Sequence, residues 1–391
     1  MSLGVVLSGG GSRGAYEVGV LTYVFHDLAK RLNRQPTIDV ISGTSVGAVN
    51  GSFLASVAED YVRGMMHLEM LWSELRLGDV LQFGLRQAAS LHRVLLGGKK
   101  ARGVFDASPL VKLVGEGVRW RQLRRNLRAG TLKALTVSAT NVATGRPVVF
   151  VDRHQDVGLP TKLPQQVAVR GARIGPAHVL ASAAIPLVFP PIRIGRQLHC
   201  DGGLRLNTPM APAIHMGMER LFVIGVSDPT APEGEGVLPD DVYPGASFLL
   251  GKVLNAFLLD HLSADLMELE RVNVALRAGV RAYGPDFVDK MNALARSEGR
   301  PERNVIRALV IKPSRDLGVI ASSHLRSDAV RLGATVGRGF LRLLDVGEGG
   351  DADLASYLLF DGAYARELIA LGRRDAAAKK DEIAEFLFAG S

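Results

Sequence analysis

The stretch at residues 4–21, GVVLSGGGSRGAYEVGVL, constrains the fold of this chain more than any other. Residues 3–8 are almost wholly apolar, as a short strand buried on both faces of a sheet requires. Three glycines and a Ser-Arg-Gly follow. Val18, Leu21, Phe25, Leu28 and Leu32 then recur at helical spacing and predict one face of an amphipathic helix. The next unit repeats the plan: a strand at 38–42, the turn Gly43-Thr44-Ser45-Val46-Gly47, and a helix at 48–58. Further short strands read at 132–140, 147–151, 221–227 and 306–312. Apolar strands alternating with helices predict an α/β fold with a mostly parallel sheet covered on both faces. The Gly/Pro-rich stretch 231–244 reads as a surface loop, and 155–176 as a weakly patterned region. Beyond about residue 312 helical spacing dominates, at 325–343 and again at 354–371.

Two chemistries compete for the first glycine turn. Gly9, Gly11 and Gly14 satisfy G-x-G-x-x-G between a strand and a helix, the context of a dinucleotide site. That reading, a Rossmann-type oxidoreductase, needs an acid at the end of the second strand to bind ribose. Asp39 stands at the strand's start instead, and its end carries G-x-S-x-G. A serine on a tight strand-to-helix turn is forced outward, and Gly43 and Gly47 leave room for neighbouring backbone. Loops after adjacent parallel strands open on one edge of the sheet, so the Gly9-Gly10-Gly11 amides can face Ser45 as an oxyanion hole. A serine nucleophile also needs a base. Among the nine histidines only His199, in QLHCDGGLRLNTP, has notable neighbours, and there Asp201 precedes Gly202 and Gly203. Taken locally, that Asp-Gly pair is a turn signal.

The ordered motifs GGGSRG, GTSVG, ASAAIPLVFPP (181–191) and DGG (201–203) resemble those of the patatin-like phospholipases. The resemblance covers about residues 3–227. It implies a three-layer patatin-like α/β sandwich with a C-terminal helical region and a Ser-Asp dyad without a catalytic histidine. Ser45 then looks like the nucleophile and Asp201 like its base. Gly9, Gly10 and Gly11, with Arg13 in the family's basic position, look like the oxyanion turn. Gly43 and Gly47 look like the elbow, with Gly14, Gly202 and Gly203 in support. Ser8 departs from the aspartate that many members carry before the glycines. The implied substrate is a phospholipid or simpler lipid ester, cleaved in the manner of a phospholipase A or lysophospholipase through an acyl-enzyme. The mechanism gains if burial raises the Asp201 pKa. No cofactor or metal is implied: His and Cys do not cluster, and no calcium-loop pattern is present.

The formal net charge of +8 is concentrated at residues 76–128, which hold twelve Lys/Arg against three Asp/Glu. Such a segment suits an anionic surface. Leu81, Leu85, Ala88, Leu91 and Leu95 share one helical face within it, so peripheral contact with an anionic membrane is one expectation and a cap over the site is another. Nucleic acid is not expected. The sequence divides at 1–315, an acyl hydrolase domain with 76–128 as a lid or cap, and 316–391, the helical region. A single cysteine, Cys200, and the lack of a signal peptide or an apolar span lead us to expect a cytoplasmic protein, with peripheral membrane contact allowed. A non-catalytic lipid-binding protein is a further alternative, and oligomeric state is left open.

Overall fold

A computed structural model of the chain describes residues 2–80, 107–160, 163, 166–186, 188–227, 262–328 and 353–388. Its strands are β1 (Leu3–Leu7), β2 (Val40–Thr44), β3 (Ala134–Asn141), β4 (Pro147–Arg153), β5 (Ala168–Gly171), β6 (Ile192–Ile194), β7 (Gln197–Asp201), β8 (Arg220–Ile224) and β9 (Arg307–Ile311). They form one sheet in the order β5-β4-β3-β2-β1-β8-β9. β3, β2, β1, β8 and β9 run parallel, and β4 is antiparallel to β3. β6 and β7 form a hairpin whose second strand pairs antiparallel with the end of β3. β1 sits in the middle and is buried along its whole length, which explains its unbroken apolar sequence.

Side chains alternate across the sheet and feed two cores. Val5, Leu7, Ile41, Leu135, Val137, Phe222 and Ile224 point to one face. Val6, Val40, Ala134, Leu221 and Val223 point to the other. The first face carries α1 (Gly14–Thr22), α2 (Val46–Ser56), α3 (Tyr61–Ser73), α4 (Ser108–Gly117), α5 (Trp120–Arg128) and α6 (Pro176–Ser182). The second packs on α7 (Met210–His215) and α8 (Leu262–Tyr283), and α9 (Phe287–Ser297) follows α8. Beyond β9 come α10 (Leu317–Asp328), α11 (Asp353–Leu358), α12 (Gly362–Ala378) and α13 (Lys380–Phe388). Tyr364, Leu368, Ile383 and Phe386 of these C-terminal helices join the first core, so the tail is a layer on that face. α12 crosses α1 where Gly19 meets the Ile369 carbonyl and Gly372 that of Tyr16, and the Tyr16 hydroxyl donates to Asp375 at 3.1 Å.

Three expectations change. α1 is buried on every side rather than amphipathic, because α12 covers the face that would otherwise meet water. Its continuation, Tyr23–Leu28, is π-helical, which shifts the helical phase, and Leu32 ends 42% exposed. The span 354–371 is two helices: Leu359 to Asp361 break it, and the Asp361 carboxylate caps α12 by accepting from the Ala363 and Tyr364 amides. The weakly patterned 155–176 region contains the whole of β5, an edge strand whose Arg170 and Gly171 are exposed. The apolar face at 81–95, the loop at 231–244 and most of the 325–343 spacing lie outside the described residues. Among the described residues no helix is long and apolar enough to cross a membrane.

Candidate active site

Ser45 stands between β2 and α2 with φ 54° and ψ −123°, a strained turn that aims its hydroxyl off the sheet's end. The two flanking glycines are sterically required. A Cβ on Gly43 would lie 2.3 Å from the Gly47 carbonyl oxygen, and one on Gly47 would lie 2.4 Å from that of Leu7. The Ser45 amide donates to Ser182 Oγ at 2.8 Å, and that hydroxyl donates to the Ser138 carbonyl. The N-terminus of α2 begins at the next residue and adds its positive dipole end.

Strand register brings Asp201 to this serine. Along β3, β4 occupies one edge throughout. β2 occupies the other as far as Thr44, which is opposite Ser138. Where β2 turns away, β7 takes its place, with Asp201 opposite Ala139, one residue further on. The two chains therefore meet end to end, and Ser45 Oγ donates to Asp201 Oδ2 at 2.6 Å. The other carboxylate oxygen accepts from the Gly203 amide at 2.7 Å, while Gly202 packs on the Ser138 carbonyl. Asp201 is fully buried, and burial pushes its carboxyl from 3.8 up to about 7, against the pull of the Ser45 and Gly203 hydrogen bonds. Among the described residues no histidine bonds to Ser45 or Asp201. His199 is buried edge-on to Phe150 at 5.4 Å, and burial lowers its pKa.

The glycine turn lies over the serine: a Cβ on Gly9 would come within 3.2 Å of Ser45 Cβ. The Gly9 amide donates to the Asn207 carbonyl, and the Arg13 amide to that of Gly10. Among the described residues the Gly10 and Gly11 amides have no protein acceptor, so both are available as donors. The Arg13 guanidinium turns away, 4.0 Å over the Tyr357 ring. Gly14 packs against Val46 and fits the start of α1 to that of α2. The loop after Asp201 fastens the turn. Asn207 holds Gly9, Thr208 shares a 2.7 Å hydrogen bond with Ser8, and the Leu206 carbonyl accepts from Thr44. Ser8 is thus a buried structural partner at the end of β1. Asp39 lies at the opposite end of the sheet, accepting from the Leu3 amide and pairing with Lys133.

An apolar pocket, partly open to solvent, has Ser45 and Gly11 in its lining. Its walls come from α2 (Val49, Phe53), α3 (Leu68, Leu71, Trp72), α4 (Leu110, Leu113, Val114) and the segment after α6 (Ile185, Phe189), with Phe360 closing one side. The described part of the basic segment thus includes a pocket wall, α4. It also includes α5, which exposes Arg121, Arg125 and Arg128 while Arg124 pairs with Asp152. Behind the pocket, Trp72 Nε1 donates to Asn50, whose amide donates to the Gly14 carbonyl and to Glu17. Glu17 is fully buried, which pushes its carboxyl from 4.5 up to about 8 despite the hydrogen bond from Asn50.

Sequence reasoning missed Ser182, Asn207, the Glu17–Asn50–Trp72 chain and the C-terminal contacts. Ser182 lies inside the ASAAIPLVFPP run, so a signal was there. Nothing local marks Tyr357 or Phe360.

The sequence profile of the patatin-like phospholipase family matches residues 5–214, more than half of the chain. The chain belongs to the patatin-like phospholipase family. The family places it among lipid hydrolases, and the fold is the patatin-like α/β sandwich with C-terminal helices. Among solved structures it is similar to VipD from Legionella pneumophila, with 14% identity, TM-score 0.32, and coverage of 100% of this chain and 92% of that one. It is also similar to human GIVD cytosolic phospholipase A2 in complex with methyl gamma-linolenyl fluorophosphonate, with 11% identity and TM-score 0.40. That match covers 99% of this chain and 59% of the human one. A comparison with curated proteins found no match.

Proposed function

We propose that this patatin-like protein is a phospholipase A or lysophospholipase that works through a Ser45–Asp201 dyad. The observation that carries the reading is the 2.6 Å hydrogen bond from Ser45 Oγ to a buried carboxylate beside an apolar pocket. Asp201 takes the Ser45 proton as Oγ attacks the ester carbonyl, and the Gly10 and Gly11 amides receive the negative charge on its oxygen. Collapse breaks the ester bond, and Asp201 returns the proton to the departing alcohol. Water then gives a proton to Asp201 and attacks the acyl-enzyme, and the proton returns to Ser45 as the fatty acid leaves. A base poised near neutrality suits both transfers, and burial supplies that shift. The apolar walls suit an acyl chain, and the exposed arginines of α5 suit contact with an anionic lipid surface.

The test is fatty-acid release from diacyl phospholipid, lysophospholipid and p-nitrophenyl ester by wild type, Ser45→Ala, Asp201→Asn and His199→Ala. Both dyad variants should lose at least about 10³-fold, whereas His199→Ala keeps turning over. Full activity in either dyad variant would sink the assignment.

A further inference from the structure

The glycine turn is a poor oxyanion device on its own. Gly9, Gly10 and Gly11 in succession carry more backbone freedom than any other tripeptide, and charge stabilisation demands donors fixed before the reaction. On the α2 side the turn rests on Ser45, and below it on Asn207. Its outer side is covered by residues more than three hundred positions away. Ser12 Oγ donates to the Ser356 carbonyl at 2.7 Å, and Arg13 Nε donates to Ser356 Oγ at 2.8 Å. Arg13 is only 6% exposed, and its guanidinium lies over the Tyr357 ring, 4.0 Å from the centroid. The Tyr357 carbonyl oxygen sits so close over Gly11 that a Cβ there would lie 2.2 Å from it, and Gly11 has φ 57°. Three successive residues of the turn are therefore held by one end of α11. Three residues further on, Phe360 forms part of the pocket wall beside Gly11. The strap between these points is itself anchored. Asp361 caps α12 and pairs with His324 of α10 at 3.0 Å, and the Tyr364 hydroxyl donates to the Leu317 carbonyl.

We propose that the C-terminal segment 356–360 is a working part of the active site: Ser356 and Tyr357 are positioning residues that fix the oxyanion turn through Ser12 and Arg13, and Phe360 is a specificity-determining residue of the acyl pocket. The inference rests on Ser45 being the nucleophile. Arg13 acts as a grip, not as an oxyanion donor: its guanidinium lies over the ring while Nε holds the serine. The two ends of the strap affect different quantities. Loosening the turn weakens an interaction made only in the transition state, so it lowers kcat. Opening the wall weakens acyl binding, so it raises KM in proportion to the chain that reaches it.

The experiment uses the full chain, because the tail belongs to the common core and truncation would unfold the protein. Kinetic constants are measured for p-nitrophenyl butyrate and decanoate with wild type, Ser45→Ala, Tyr357→Leu, Tyr357→Phe and Phe360→Ala, with unfolding midpoints alongside. Tyr357→Leu should lower kcat on both esters at least about tenfold with KM within about twofold. Tyr357→Phe, which keeps the ring, should restore it. Phe360→Ala should raise KM for decanoate several-fold more than for butyrate. If Tyr357→Leu turns over at the wild-type rate, or if both sites depress all constants alike in step with lost stability, the proposal fails. If wild type shows no Ser45-dependent hydrolysis of either ester, the failure lies in the dyad assignment beneath it.

Discussion

Replacing Asp201 by Asn tests the electrostatics of the dyad through stability as well as activity. The carboxyl is fully buried, and burial pushes it from 3.8 to about 7. In the unfolded chain it ionises near its ordinary value. Below about pH 4 both states hold the proton, and burial adds no electrostatic cost. As pH rises toward 7 the unfolded state ionises first, so stability falls through that window. Above 7 the full cost is present, about 4 kcal/mol for this difference in pKa. An asparagine carries no charge in either state. The raised value already includes the Ser45 and Gly203 hydrogen bonds to the carboxylate, so they take nothing further from the gain. Asp201→Asn should therefore be no more stable than wild type near about pH 4 and up to about 4 kcal/mol more stable at about pH 8. It should be inactive throughout. Urea unfolding midpoints across that pH range read the difference. A variant no more stable at the alkaline end, or a gain that does not change with pH, would refute the placement of a strained, ionised carboxylate beside Ser45.

The remaining predictions concern the same site and its supports. The kcat/KM of wild type on a short ester should climb about tenfold per pH unit below 7 and level off above it, as the Asp201 carboxylate forms; a flat profile from about pH 5 to 8 would exclude it as the base. Glu17→Gln keeps the shape and the Asn50 contact while removing a carboxyl pushed up to about 8. By the same sign argument it should match wild type near about pH 4 and gain stability steadily up to pH 8, which thermal melts across pH would show. Ser182→Ala strands the buried Ser45 amide, at a cost of about 1–3 kcal/mol. Part of that loss should appear as a 10-fold or larger fall in kcat, by about the same conversion of energy to rate, with the fold retained by circular dichroism.

The strand–glycine turn–helix units, the parallel sheet and the Ser45 elbow were legible because each is local, whereas Asp201 read locally as a turn and took its role only from the family resemblance. β1 and β2 are continuous apolar runs, and the elbow and the DGG turn lie within five residues of sequence. The pairing of β1 with β2 follows one helical crossover, whereas the crossover from β2 to β3 runs from residue 45 to residue 133 and its register is not a local property. The same local reading misjudged α1. Its apolar stripe was correct, but its polar side is buried too, by a helix that starts at Gly362. It passed over β5, whose edge position leaves half of its residues exposed and removes the apolar signal.

By itself, then, the sequence determined the alternation of strands and helices and the outward-facing serine. Each depends on the chemistry of a few adjacent residues. Only the tertiary structure decided that Asp201 meets Ser45 at 2.6 Å, because that distance depends on β7 replacing β2 along β3. Only it decided the charge state of the acid, since desolvation comes from the surrounding fold and not from neighbours in the chain. And only it showed Ser356, Tyr357 and Phe360 at the glycine turn and the pocket. Contacts more than three hundred residues apart leave no periodicity, spacing or composition for a sequence reading to find.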